Sequence, residues 1–156
     1  MKTLLVATDG SDGADAALMQ AAETAAAEGA KLLVLTVASR GGAYLEPSGK
    51  IEEITEYARS EHLAGGVAEA KGMLAEEILT AARKIIGLRR ELPASYISCA
   101  GDPAEEIVAI AREHAADALY MGSRGLNPVG GFLLGSVSQR VKALAPCPVV
   151  IVSKRT

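Results

Sequence analysis

Apolar residues fall along this chain in short unbroken runs, separated by longer stretches in which they recur every three or four positions. The runs are TLLVAT (Thr3 to Thr8), LLVLTV (Leu32 to Val37), SYISC (Ser95 to Cys99), ALYMG (Ala118 to Gly122) and PVVIV (Pro148 to Val152). Each has the length of a strand, and most lack the alternation of a half-exposed one, as parallel strands covered on both faces do. Between the first two runs, from about Ala14 to Glu28, the spacing puts Ala14, Leu18, Ala21, Ala22 and Ala25 on one helical face. A second helical pattern carries Leu63, Val67, Ala70, Leu74, Ile78, Ala81 and Ile85, with Gly65 and Gly66 marking a kink or a separate short helix at its start. The third helix opens with Asp102 as its cap, Pro103 in the first helical position and Glu105 completing a capping box. The resulting β-α-β-α-β-α-β-α-β order predicts a single-domain α/β fold over residues 1–156, an open five-stranded parallel sheet with helices on both faces, in the Rossmann-like three-layer manner.

Composition narrows this picture. The chain has 156 residues, of which 49% are hydrophobic but only 3% aromatic, with no Trp and one Phe, Phe132. Its core must therefore be built from Ala, Leu, Val and Ile, a mix that suits helices packed on a buried sheet. The formal charge of -3, with acids and bases interspersed, lacks the basic footprint of a nucleic-acid binder. The first apolar run stops at Asp9, too short for a signal segment, and no run reaches the roughly 18 apolar residues of a membrane span. No membrane and no nucleic acid are thus expected as partners, and the expected location is the cytoplasm. Cys99 and Cys147, without C-x-x-C spacing and among apolar neighbours, read as buried thiols. SRGGAYLEPSGK, from Ser39 to Lys50, mixes Gly, Pro and Ser and reads as a surface loop.

In an open parallel sheet a ligand binds beyond the carboxyl ends of the strands, where the strand order reverses. Only the loops that follow strands can line such a site, and glycine and small polar residues concentrate after the first strand (ATDGSDG) and the fourth (from Met121 onward). No Walker loop is present, since Gly49-Lys50 is followed by Ile51, and the Rossmann G-x-G-x-x-G is also absent. DGSDG has Asp9 where a nucleophile elbow needs glycine, and His62 and His114 have no triad setting. What stands out is Gly122, two residues, Gly125, nine residues, then Gly135-Ser136. Gly122 ends a strand where a bulky side chain would block a ribose, and Gly125 permits a turn whose amides face an anion. Ser136 begins a helix, with Gln139 as its capping-box partner, so the amides of Ser136, Val137 and Ser138 present a positive helix end to phosphates.

G-2x-G-9x-G-[ST] at the fourth strand, VATDGS at the first and APCPVVIV at the end together resemble the ATP-binding branch of the universal stress protein family, over essentially Thr3 to Val152. The resemblance implies an adenine nucleotide alpha hydrolase-like fold and an adenine nucleotide, ATP with Mg²⁺, as the ligand. It implies that Asp9 and the backbone near Val37 meet the adenine. Met121, Gly122, Ser123, Arg124, Gly125, Gly135, Ser136, Val137 and Ser138 would surround the ribose and phosphates, with Thr8 and Ser11 as companions; no metal ligand is assigned. The spacer LNPVGGFLL departs from the pattern by lacking the basic residue many relatives carry there; its FLL half is expected to tuck Phe132 under the loop.

Plainer roles stand beside these. Ser136 serves as a helix cap in any case, Asp9 can orient the first loop, Arg124 can be a solvated charge, and Met121 divides between core and site wall. Beyond Asp9, Asp12 and Arg124 the loops offer no histidine or lysine, and no second arginine except Arg40. Phosphoryl transfer needs groups that position a nucleophile and stabilise charge. The expectation is therefore a nucleotide-responsive regulator in the stress response, not an enzyme. The alternative is a slow ATP hydrolase or adenylyl-transferring enzyme of the same fold, and a third reading, an adhesion or chaperone-like dimer, predicts no nucleotide. The resemblance further implies that the last strand lies at the sheet edge and pairs with a second copy in a homodimer.

Overall fold

The apolar runs become strands, and the amphipathic stretches become the helices that join them. In order these are β1 (Thr3–Ala7), α1 (Asp12–Glu28), β2 (Lys31–Ser39), α2 (Gly66–Ile86), β3 (Ala94–Gly101), α3 (Pro103–Glu113), β4 (Ala118–Gly122), β5 (Leu126–Asn127), β6 (Gly131–Phe132), α4 (Ser136–Leu144) and β7 (Val149–Val152). This computed structural model describes residues 1–39, 66–87, 91–123, 126–127, 131–132 and 135–153. Most of the predicted loop from Ser39 to Lys50, and Leu63 and Gly65 at the predicted kink, lie outside the described residues.

The main sheet has five parallel strands in the order β3-β2-β1-β4-β7. The chain moves outward from β1 through β2 to β3, then returns to the other side of β1 for β4. The reversal therefore falls between β1 and β4, in a register that sets Ala7 beside Met121 at the carboxyl ends. β7 pairs only with β4 and forms the edge predicted for it. β2 and β3 each extend beyond their apolar runs, to Ser39 and Gly101, because they pair with each other along their whole shared length.

The absence of alternation in the strands has a direct cause. Leu4, Val6, Leu32 and Val34 pack toward α1 and α2, whereas Leu5, Ala7, Leu33, Leu35, Leu119 and Met121 pack toward α3 and α4. Both faces are core, and each fully buried leucine contributes on the order of 2 kcal/mol. On α1 the buried stripe is Ala14, Ala17, Leu18, Ala21, Ala22 and Ala25, small enough for the helix axis to lie close over the strands.

Three sequence expectations need correction. Among the described residues of α2, Ala75, Leu79, Ala82 and Ile86 are buried. That stripe is one position on from the predicted Leu74, Ile78, Ala81 and Ile85, because the alanines allow a closer approach and turn the larger side chains to the flanks. Cys99 and Cys147 are half-buried free thiols at the margin of the core, packed against its α3 and α4 side; each sits on or just before an edge strand. Finally, the spacer after β4 contains a short antiparallel pair, with Leu126 opposite Phe132 and Asn127 opposite Gly131. The predicted burial of the Phe132 side chain, and Pro128, Gly130 and Leu134, lie outside what is described.

Candidate functional site

The crevice at the reversal is bounded by two strand-to-helix corners. At the first, β1 passes into α1 through Thr8, Asp9, Gly10 and Ser11. The Thr8 amide donates to the Leu35 carbonyl at 2.8 Å, which continues the β1–β2 ladder by one residue. Thr8 is buried, and its hydroxyl accepts from the Gly10 amide at 3.2 Å. Asp9 Oδ1 accepts from the Ser11 amide at 2.9 Å, and Ser11 Oγ accepts from the Ala14 amide at 3.2 Å. Ser11 is thus the cap of α1, a role the sequence reading did not give it. Gly10 has φ 78°, a left-handed conformation, and a Cβ placed on it would stand 3.1 Å from the Ile78 side chain of α2. Each polar side chain in this loop holds a neighbouring backbone group, so the corner is locally self-consistent.

Its electrostatics follow. The first turn of α1 carries Asp12 and Asp15. The Asp15 carboxyl is held above the usual aspartate range, first by burial, then by the charges of Asp12 and Asp9. The positive end of α1 is therefore already answered by the protein's own carboxylates.

At the second corner β4 ends at Gly122, directly beneath the start of α1. A Cβ placed on Gly122 would stand 2.5 Å from the Gly13 carbonyl carbon and 2.6 Å from the Ala14 amide nitrogen. The glycine thus has a packing reason beside the expected one: its missing side chain makes room for a helix backbone. A Cβ on Gly13 would in turn meet the Ser123 carbonyl oxygen at 3.3 Å. The Met121 side chain, at 2% exposure, packs into the core on the α3 and α4 side, which leaves its backbone for any contact in the crevice. Ser123 donates its amide to the Val152 carbonyl at 3.0 Å, and its hydroxyl oxygen is buried without a hydrogen-bond partner among the described residues. Val37 is buried on the α3 and α4 side of β2, which leaves only its backbone for any contact in the crevice. Arg124 and Gly125 lie outside the described residues.

α4 then begins differently from the expectation. Gly135, not Ser136, occupies the cap position, and among the described residues no side chain caps the helix. Ser136 is the first helical residue, and the Gln139 amide bonds the Gly135 carbonyl at 3.0 Å. A Ser-x-x-Gln pattern resembles a capping box, but the glycine one position earlier takes the extended backbone conformation, φ -65° and ψ 159°, that a cap requires. The first turn holds no acidic residue. Ser136 is exposed, whereas Val137 and Ser138 are buried.

One contact that joins the neighbouring helices escaped the sequence reading. Arg140 Nη1 lies 3.1 Å from Asp102 Oδ1 and 3.2 Å from Oδ2, and Arg140 Nη2 is 4.0 Å from Glu105 Oε1. Asp102 is the predicted cap of α3, accepting from the Glu105 amide at 3.0 Å. That amide, and then Arg140, hold its carboxyl below the usual range against the opposing pull of desolvation. Among the described residues no group of three or more His, Cys, Asp or Glu is placed to hold a metal ion, and no helix is long and apolar enough to cross a membrane.

The geometry agrees with what the chain is similar to. The model of the universal stress protein family matches residues 1–153. A universal stress protein of Thermus aquaticus, named for its place in the QAH/OAS sulfhydrylase 3' region, is 38% identical over 97% of this chain and 98% of its own. Universal stress protein YxiE of Bacillus subtilis is 33% identical, covering 96% and 97%. Among solved structures, a universal stress protein in complex with cAMP has a TM-score of 0.68 at 28% identity, covering 97% of this chain and 96% of that one. The universal stress protein of Archaeoglobus fulgidus in complex with dAMP has a TM-score of 0.64 at 26% identity, covering 97% and 98%. With the family model matched over residues 1–153 and relatives aligned over nearly their whole length, this chain belongs to the universal stress protein family.

Proposed function

We propose that this protein is a cytoplasmic regulator that binds an adenine nucleotide, ATP with Mg²⁺, in the crevice between the β1–α1 and β4–α4 corners. The observation that carries this reading is the contrast between the two helix starts. α1 is capped and flanked by carboxylates, whereas α4 has no side-chain cap and no acid in its first turn. The amides of Ser136, Val137 and Ser138 are therefore left for an anion. The orphaned Ser123 hydroxyl, on the β4 side, needs a partner that a ligand would supply. The fit extends to the base, for Asp9 and the β2 backbone near Val37 lie at the same end of the sheet. Mg²⁺ would be carried on the phosphates, consistent with the lack of a metal-ligating group among the described residues. The cAMP and dAMP complexes of structural relatives support an adenine nucleotide as the ligand class.

Binding, not turnover, is the proposed role. His114 ends α3 just before the start of β4, at the end of the strands away from the crevice, and the described loops of the crevice hold no histidine or lysine to act in phosphoryl transfer. The protein is proposed to respond to nucleotide by changing the surface it shows to a partner, in a homodimer paired through β7. That edge strand carries four partly exposed apolar residues and no charge. Denaturing the purified protein should release an adenine nucleotide identifiable by mass spectrometry, and calorimetry should show ATP binding. Absence of both refutes the reading, and rapid steady-state hydrolysis would return the enzyme alternative to first place. Sedimentation as a monomer at micromolar concentration would remove the dimer alone.

A further inference from the structure

α4 is nine residues long, shorter than the roughly 12 to 15 residues an isolated helix needs to persist in water. Its placement depends on what it packs against. Val137, Ser138 and Val141 bury one side of it. On the exposed side Arg140 is its anchor, held by both oxygens of Asp102 at 3.1 and 3.2 Å with Glu105 nearby at 4.0 Å. Arg140 follows Ser136 by four positions, one turn along the same face and about 6 Å along the axis. A cation near the positive end of a helix is electrostatically misplaced by itself, and the carboxylates of α3 offset that. Asp102 is itself fixed, because the same carboxylate caps α3 through the Glu105 amide.

The geometry points to Arg140 as a positioning residue for the phosphate-facing turn of α4, with Asp102 as its anchor, so that this pair governs affinity for the polyphosphate and not for the nucleoside. This rests on the nucleotide-binding reading above. The separation follows from the elements involved. Base and ribose are assigned to the ends of β1, β2 and β4, whereas the pair ties only α4 to α3. A change that loosens α4 is felt where the amides of Ser136 to Ser138 meet phosphate oxygens.

Calorimetric titration of the full-length protein with ATP and with AMP tests this. In Arg140→Ala the ratio of ATP to AMP affinity is expected to fall about fivefold, with AMP affinity within about twofold of the original protein. Asp102→Asn, which keeps a competent helix cap, should reproduce the fall, and the double variant should be no worse than either single one. Lys142→Ala removes the same charge from the last turn of α4 and should leave the ratio unchanged. Equal losses in Arg140→Ala and Lys142→Ala would show general charge attraction and overturn the inference, as would an unchanged ratio in Arg140→Ala. Should Arg140→Ala melt far below the original protein, Arg140→Lys, which keeps the charge but loses the two-pronged hold, gives the same test. In ligand-free protein, amide hydrogen exchange from Val137 to Val141 should accelerate in Arg140→Ala, and unchanged exchange overturns the positioning role. An unmodified protein that binds neither nucleotide overturns the nucleotide reading, and the phosphate role with it, whereas normal binding with an unmoved ratio overturns the inference alone.

Discussion

The two helices that start at the crevice solve the same problem in opposite ways. Every helix begins with amides that lack intrahelical partners. α1 answers them from within, with Ser11 as cap, Asp9 bracing Ser11, and Asp12 and Asp15 at the positive end. α4 does not: its cap position is a glycine, its first turn is free of acid, and its anchoring charge, Arg140, sits one turn further on. The self-capped corner serves as structural support, and the one without a side-chain cap among the described residues is the proposed place for a ligand. The difference also assigns the glycines. Gly122 serves packing between the corners, whereas Gly135 leaves a helix end uncovered.

The comparison breaks most severely if the corners are forced apart. Gly122→Val places carbon atoms into the backbone of Gly13 and Ala14, and a loss of about 3 kcal/mol is expected, as for other overpacked sites. Urea denaturation checks this, and a stability within experimental error of the parent protein would refute the packing role. Making α4 resemble α1 is the next test. Ser136→Asp adds a carboxylate to the bare helix start, which should hold or slightly raise stability through the helix dipole while lowering ATP affinity about tenfold, near 1.4 kcal/mol. Calorimetry and a melting curve on one sample separate the two effects.

Making α1 resemble α4 should do less. Ser11→Ala removes the cap and should cost about 1 kcal/mol of stability without creating an anion site, since Asp12 and Asp15 remain. The smallest effect concerns Asp15. Its carboxyl titrates higher in the folded protein than in the unfolded chain, so its favourable contribution is complete in acid and is lost as pH rises through the folded value. Asp15→Asn should therefore gain on the parent protein between about pH 3 and pH 7, as urea midpoints at both pH values will show; a variant that loses ground to the parent over that interval contradicts the assignment. Asp102 has the opposite sign. Its depressed carboxyl contributes stability at neutral pH that disappears as the solution is acidified through its folded value.

The fold was legible because burial on both faces leaves a local mark. Runs such as TLLVAT lack alternation for the reason the clusters later make plain, and Asp102-Pro103 states a helix start in adjacent residues. The candidate site was legible only where its signal was equally local. The glycine spacing singled out the loop after β4 as the place to look, but the capping pattern at Ser136 named the wrong residue, because a glycine can take a cap's backbone conformation with no side chain to announce it. Gly13 beneath the strand end, Ile78 against Gly10, and Arg140 on Asp102 pair residues far apart in the chain, the last pair by 38 positions. No period or motif connects them. A glycine in the first turn of α1 was the one available hint that something must pass close by.

Backbone atoms have no rotamers. Where Gly13 rests on Gly122, neither partner can relieve a strain by swinging a side chain aside, as the leucines of the core can. That contact therefore makes its side of the crevice unyielding. On the proposed reading, a nucleotide entering the crevice would meet a wall whose position is already set.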